Sequence, residues 1–317
     1  MNIHVIEPLG VSETAMIQFQ SRFTTMGHSV TVYQDRTEDA NNIIKRCSGA
    51  DIAVIANIPF PEVVVNALPG LKMLAVAFTG TDHIAIDACR KNGITVCNAS
   101  GYSSISVAEL TVGFIIDLMR NITKLDPTTR IGGTRSAFHG FDIAGKTIGI
   151  VGTGDIGLRV AKILSSFDVK LLAYSRSEKE EAHNYGVQYT SLDTLLKESD
   201  IITLHVPLSG ETRGLIDSGK INLMKKSACI VNCARGPVIR SEDLAVALRE
   251  KRIAGAALDV FDTEPPLPSD NPFLSLDNVI LTPHIAFATE EAFVRRLNII
   301  ENNINAFLEG KPVHVIA

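Results

Sequence analysis

The chain has 317 residues, 45% of them hydrophobic and 21% charged, with a net charge of −5. That length exceeds what one hydrophobic core usually serves, so two domains are expected. The mild acidity excludes nucleic acid or an anionic membrane as the main partner, and an anionic ligand has to be drawn in by local groups. The cysteines Cys47, Cys89, Cys97, Cys229 and Cys233 are odd in number and contain no CxxC pair, which points to neither a disulfide framework nor a metal site. They read as reduced thiols of a cytoplasmic protein. The opening MNIHVIEPLG lacks a basic segment followed by a long apolar one and reads as a strand, not a signal peptide. No apolar run reaches the roughly 18 residues that span a bilayer.

Short apolar strands alternate with amphipathic helices, the rhythm of an α/β fold with parallel sheets. In chain order the spacing predicts strands at Ile3–Ile6, Val30–Tyr33, Ile52–Ile55, Met73–Ala77 and Thr95–Cys97, with helices such as Glu13–Met26 and Ile84–Asn92 between them. A long helix follows over Ser104–Arg120, with Ser103 or Ser104 as its N-cap. Residues 126–145 have little periodicity and several turn formers, so they read as a connecting segment. A second series of strands is predicted at Thr147–Val151, Lys170–Tyr174, Ile201–His205, Ala228–Asn232, Ala256–Asp259 and Val279–Leu281, and a last helix over Glu290–Leu308. That helix has room to return to the first domain. The expected organisation is two doubly wound parallel-sheet domains. Residues 1–100 plus 288–317 form the substrate-binding one, 101–287 form a Rossmann-like nucleotide-binding one, and an active-site cleft lies where the chain crosses.

The sequence GTGDIG (Gly152 to Gly157) follows the apolar strand KTIGIV and precedes the helical pattern LRVAKILSSF. That context makes it a dinucleotide cradle rather than a bare glycine turn. Gly152 permits the tight turn, Gly154 lets the backbone approach a pyrophosphate, and Gly157 lets helix and strand pack closely. Asp155 and Ile156 open the helix, whose N–H groups and dipole favour phosphate. A ribose-reading acid is expected at the tip of the next strand, but the chain reads Tyr174-Ser175-Arg176-Ser177 there. A carboxylate would repel a 2′-phosphate, whereas Ser175, Arg176 and Ser177 can bind and neutralise one. NADP(H) is therefore favoured, with NAD(H) possible.

Three further residues stand out: Arg235 in VNCARGPV, Glu264 in ALDVFDTEPP and His284 in LTPHIA. Arg235 and His284 each follow a predicted strand, on the edge where open α/β sheets bind ligands. A guanidinium fork can hold a carboxylate and polarise the adjacent carbonyl. An imidazole can deliver a proton as hydride arrives. Glu264 is placed to hydrogen-bond His284 and stabilise its imidazolium form.

With these motifs the chain resembles the D-isomer-specific 2-hydroxyacid dehydrogenase family. The resemblance covers essentially the whole chain and is carried by GTGDIG, LHVPLSGETRGLI (His205 to Ile216), VNCARGPVI, AALDVFDTEPP and LTPHIA, in that order. It implies that Arg235 binds the substrate carboxylate and carbonyl, that His284 is the acid/base, and that Glu264 orients it. It places Asp259 and Thr111 near the nicotinamide. His205, Val206, Pro207 and Thr212 fall on the adenosine and ribose side, Cys233 and Ala234 beside the nicotinamide ribose, and Ala286 next to the same site. It assigns backbone amides of Phe78, Thr79, Gly80 and Thr81 to the carboxylate. It also implies a homodimer, a small 2-oxo or 2-hydroxy acid as substrate, and no metal, nucleic acid or membrane. The chain departs from the family at Ser175, at Leu110 where His is common, and in having no Trp. Two other readings use the same residues. A phosphoglycerate dehydrogenase would need extra cations near Phe78–Thr81, where only Lys72, His83 and Arg90 are found. A dinucleotide-sensing co-repressor scaffold usually carries long tails.

Overall fold

The computed structural model describes residues 1–136 and 138–317. They form two compact units, Met1–Ser103 with Ala288–Ala317, and Ser104–Phe287.

The first unit holds β1 (Asn2–Val5), β2 (Ser29–Val32), β3 (Ile52–Ile55), β4 (Met73–Val76) and β5 (Thr95–Asn98) in one parallel sheet of order β2-β1-β3-β4-β5. All four residues of β3 and of β4 are buried. Their uninterrupted apolar runs are what a sheet covered on both faces requires. Helices Glu13–Thr25 and Glu290–Leu308 open on Ser12 and Thr289, whose hydroxyls accept from the amides of Ala15 and Ala292. The C-terminal residues close the sheet edge: Val96 donates to Ala317 O and Ile316 donates to Val96 O, antiparallel to β5.

The second unit begins with the helix Ser104–Arg120 and holds β6 (Thr147–Val151), β7 (Lys170–Tyr174), β8 (Val187–Tyr189), β9 (Ile201–Leu204), β10 (Cys229–Asn232), β11 (Gly255–Leu258) and β12 (Val279–Leu281). All pair in parallel in the order β12-β11-β10-β9-β6-β7-β8. This is the dinucleotide-binding order with one strand added, and the chain reverses direction across the sheet between β6 and β9.

Most predicted strands shift by at most one residue at an end, and Ile52–Ile55, Thr147–Val151, Lys170–Tyr174 and Val279–Leu281 stand unchanged. The helix expected over Ile84–Asn92 shortens to Ile86–Lys91. Three-residue β8 was not anticipated, being too short to show a period. The predicted connecting segment is corrected in part, because a helix runs over Ile122–Arg130. Asp117, at the end of the preceding helix, accepts from the amide and hydroxyl of Thr123 and so satisfies the new helix's first turn. Arg130 and Asp126 pair one turn apart at 2.7 Å. Ala137, within the same segment, lies outside the described residues. All five cysteines are free thiols and buried. Among the described residues no helix is long and apolar enough to cross a membrane.

Candidate active site

Six of the singled-out stretches of the second unit fall on one edge of its sheet, the C-terminal ends of β6, β7, β9, β10, β11 and β12. Gly152 follows β6 with φ +96°, and its amide donates to Tyr174 O at the end of β7. A Cβ on Gly152 would lie 2.6 Å from His205 O, at the end of β9. A Cβ on Gly157 would lie 2.0 Å from Gly152 O. Both glycines are therefore dictated by backbone packed against backbone. Gly154 differs, since a Cβ there would meet nothing within 4 Å. Gly154 is also the N-cap of the helix Asp155–Leu164 and supplies no side-chain acceptor to its first turn. An open glycine before an uncapped helix N-terminus at the strand-reversal point is what a pyrophosphate group fits.

Around this turn, Ser175 lies at the tip of β7, half-buried, with Arg176 and Ser177 exposed beside it. Arg176 approaches the Glu211 carboxylate at 3.5 Å, and both side chains are exposed. Such a pair is weak and exchangeable. Sequence reasoning did not single out Glu211, although its motif was noted. The loop after β9 is self-braced: Thr212 donates to Pro207 O at 2.6 Å and accepts from the Ser209 amide at 2.8 Å. His205 Nε2 meets Thr203 Oγ1 at 2.6 Å, while its buried Nδ1 has no partner among the described residues. Thr111 is fully buried in the helix Ser104–Arg120, donates to Val107 O, and hydrogen-bonds Cys233 at the end of β10. Burial pushes the Cys233 thiol up to about 12. It is thus a buried packing residue and no nucleophile.

Burial lowers the His205 imidazole to about 3, against roughly 6.5 in an unfolded chain. Unfolded protein then binds a proton that the native site refuses. The associated stability is complete above about pH 6.5 and is lost as pH falls towards about 3. His205→Asn is expected to flatten the pH dependence of unfolding free energy between pH 6.5 and 4. Chemical denaturation at several pH values checks this, and an unchanged slope contradicts it.

The Arg235, Glu264 and His284 side chains stand on loops that follow the adjacent strands β10, β11 and β12. Asn232 ties the first loop, accepting from the Ala234 amide at 3.0 Å and donating to Arg235 O at 2.9 Å. Gly236 has no room for a side chain, because a Cβ would sit 2.0 Å from Phe261 C. The Arg235 loop therefore lies directly on the chain that leads to Glu264. His284 Nδ1 lies 2.9 Å from Glu264 Oε2. With Nδ1–H donating to that carboxylate, Nε2 is the nitrogen left to serve a substrate oxygen. The His284 ring also stands edge-on to Phe287, centroids 5.3 Å apart. His284 has φ +55°, a left-handed conformation that costs a non-glycine residue on the order of 1–3 kcal/mol.

Asp259 maintains that conformation. It is fully buried. It accepts from Thr282 Oγ1 at 2.5 Å, from the Ile285 amide at 2.8 Å and from the Ala286 amide at 2.8 Å. Its carboxylate thus spans the His284 loop on both sides. Burial pushes its carboxyl up, and the three donors and His284 pull it down. These three hydrogen bonds show Asp259 holding the His284 loop. Sequence reasoning missed that role, because the three hydrogen bonds reach 23 to 27 residues along the chain.

In the first unit, Phe78–Thr81 follow β4 at the C-terminal end of its sheet. Phe78 O accepts from the Ala99 amide, and Asn98 Nδ2 donates to Thr79 O at 2.7 Å. Asn98 is itself held by Asn303, whose Nδ2 donates to Asn98 O at 2.8 Å. These two asparagines are further residues that the sequence alone did not reveal. Buried Asn303, at a core-facing position of the last helix, is the one signal that could have flagged them.

Comparison with known proteins bears on this geometry. The family description "D-isomer specific 2-hydroxyacid dehydrogenase, NAD binding domain" matches residues 112–286. The chain is 44% identical over 255 residues to the glyoxylate reductase of Thermofilum pendens, covering 78% of this chain and 75% of that one. It is 34% identical over 294 residues to the hydroxypyruvate reductase of Blautia hydrogenotrophica, covering 90% and 91%. A solved structure of an acyclic imino acid reductase (Bsp5), in complex with NADPH and D-Arg, superposes with a TM-score of 0.90 at 30% identity, with both chains covered in full.

Proposed function

The chain belongs to the D-isomer-specific 2-hydroxyacid dehydrogenases, NAD(P)-dependent oxidoreductases, and within that family we propose that it is an NADP(H)-preferring reductase of a small 2-oxo acid such as glyoxylate or hydroxypyruvate. The observation that carries this reading is the His284–Glu264 hydrogen bond on the loop beside Arg235, at the strand edge that also holds the glycine cradle. The cofactor supplies the hydride when bound. Gly152, Gly154, Gly157 and the first-turn amides of Asp155 and Ile156 would hold its pyrophosphate, and the Pro207–Thr212 loop its ribose. Arg235 grips the carboxylate and polarises the carbonyl, because its planar fork presents two parallel donors. His284 Nε2 gives its proton to the carbonyl oxygen, and Glu264 stabilises the charged imidazole before that transfer. In the first unit we assign the Phe78–Thr81 amides to binding a substrate carboxylate.

The cofactor preference rests on Ser175 and Arg176. A 2′-phosphate would replace the exposed Glu211 carboxylate as the partner of Arg176 and gain charge-assisted hydrogen bonds. Wild-type enzyme is expected to reduce glyoxylate and hydroxypyruvate with higher kcat/KM for NADPH than for NADH. Ser175→Asp should reverse that order, since the new carboxylate repels the 2′-phosphate and accepts from a free 2′-hydroxyl. An unchanged cofactor ratio in steady-state assays would show that Ser175 and Arg176 do not read this group.

A homodimer is part of the same reading. The helix Ile122–Arg130 buries none of its residues, and Ile131 and Phe141 beyond it are 86% and 62% exposed. Apolar side chains left open in this way are what a second copy would cover. Light scattering on the purified chain should return a dimer mass, and a particle of 34.2 kDa would rule it out.

A further inference from the structure

Arg296, on the last helix, is 4% exposed and sits among aromatic rings of the first unit. Its guanidinium carbon lies 4.6 Å from the Phe293 ring centroid, 5.6 Å from that of Tyr102 and 5.7 Å from that of Phe78. One terminal nitrogen donates to Leu9 O, and the guanidinium hydrogen-bonds the Tyr102 side chain. Its Nε is buried without a hydrogen-bond partner. Gly10 makes room for the arrangement: a Cβ there would lie 3.2 Å from Phe293 Cε2 and 3.5 Å from an Arg296 terminal nitrogen.

Among the described residues no carboxylate forms an ion pair with Arg296. The acid whose field it feels, Glu7, is already neutralised. Glu7 Oε2 pairs with Arg36 at 2.7 Å, and Glu7 Oε1 accepts from the amides of Ala56 and Ile58 at 2.7 and 3.0 Å. Arg296 is thus a buried positive charge with no carboxylate paired to it among the described residues. Burying a guanidinium is costly, and stacking against rings offsets only part of that cost. An apolar side chain would fill the same space on a helix face that also buries Ala292, Leu297, Ile300, Asn303 and Ile304. The charge is therefore not explained by packing. One ring it touches is Phe78, the first residue of the loop after β4.

We propose that Arg296 is a positioning residue for the substrate, whose buried charge under Phe78 favours a carboxylate at the Phe78–Thr81 loop and fixes that loop's aromatic floor. The inference rests on the reading above that this loop receives the substrate carboxylate. A unit charge several ångströms from an anion, in a partly desolvated setting, is enough to change its affinity by about tenfold.

The test uses Arg296→Met and Arg296→Lys in the full chain, with glyoxylate as substrate and oxalate as a competing anion. Arg296→Met should raise the glyoxylate KM and the oxalate Ki together by about tenfold, while kcat and the NADPH KM stay within about twofold. Arg296→Lys keeps the charge and should bring both anion constants back to within about threefold of wild type. A purely structural residue would instead disturb kcat and NADPH binding along with them, and lysine would not rescue it. Unchanged anion constants in Arg296→Met, or a tenfold loss in Arg296→Lys, overturn the proposal, and the lysine result decides alone if the methionine variant does not fold. Wild-type enzyme that reduces no 2-oxo acid would defeat the underlying functional reading first. An active wild type with an unaffected Arg296→Met defeats this inference alone.

Discussion

His284→Ala is expected to lower kcat for reduction of a 2-oxo acid by about 10²- to 10⁴-fold, the range that a positioned general acid contributes. The prediction follows from local geometry. Glu264 accepts a hydrogen bond from Nδ1–H at 2.9 Å and so fixes which nitrogen serves the substrate. Asp259 clamps the backbone on both sides of His284 through Thr282, Ile285 and Ala286. The left-handed backbone of His284 is tolerated because the loop is held so firmly. Removing the imidazole takes away the proton donor but leaves the glycine cradle untouched, so NADPH affinity should change little. Rapid-mixing kinetics with bound NADPH read the chemical step directly. A loss in kcat below tenfold would remove His284 from the role of acid.

Arg235→Gln should be almost as damaging, lowering kcat/KM for the 2-oxo acid by about 10²- to 10³-fold, the loss found when one charge-stabilising donor is taken from an active site. Glutamine can donate to one oxygen but has neither the charge nor the parallel fork of arginine. The backbone that presents the side chain is fixed independently, by Asn232 and by the contact of Gly236 with Phe261. The substitution therefore reports on the guanidinium rather than on a collapsed loop. Arg235→Lys should recover only part of the loss, because a point charge cannot bind two oxygens in plane. Steady-state kinetics of both variants check this, and equal activity of the lysine variant and wild type would contradict the forked grip.

Much of this was legible in the sequence. The buried strands are unbroken apolar runs, such as IAVI at β3 and CIVN at β10, so their places could be read to within a residue. GTGDIG was readable because a strand preceded it and a helix followed. Arg235, Glu264 and His284 would each pass for an ordinary surface residue alone. Their position after successive strands, and the order of the motifs around them, is what set them apart. Other features depend on contacts between residues far apart in the chain. The Asp259 clamp reaches across to β12, and the tie from Asn98 to Thr79 O depends on how two strand ends meet. The helix Ile122–Arg130 was hidden behind a DPTT sequence that suggests a turn, because its first turn is satisfied by Asp117 from the helix before it. Arg296 carried a signal that went unread, a charged residue at a core-facing position of an amphipathic helix.

The proposed reaction delivers a hydride to C2 of a 2-oxo acid while His284 protonates the oxygen. Reduction of hydroxypyruvate with NADPH deuterated at the transferring position, followed by chiral analysis and mass spectrometry of the product, tests it most directly. D-Glycerate carrying deuterium at C2 is expected. Recovery of the L-isomer, or of glycerate without deuterium, would contradict it.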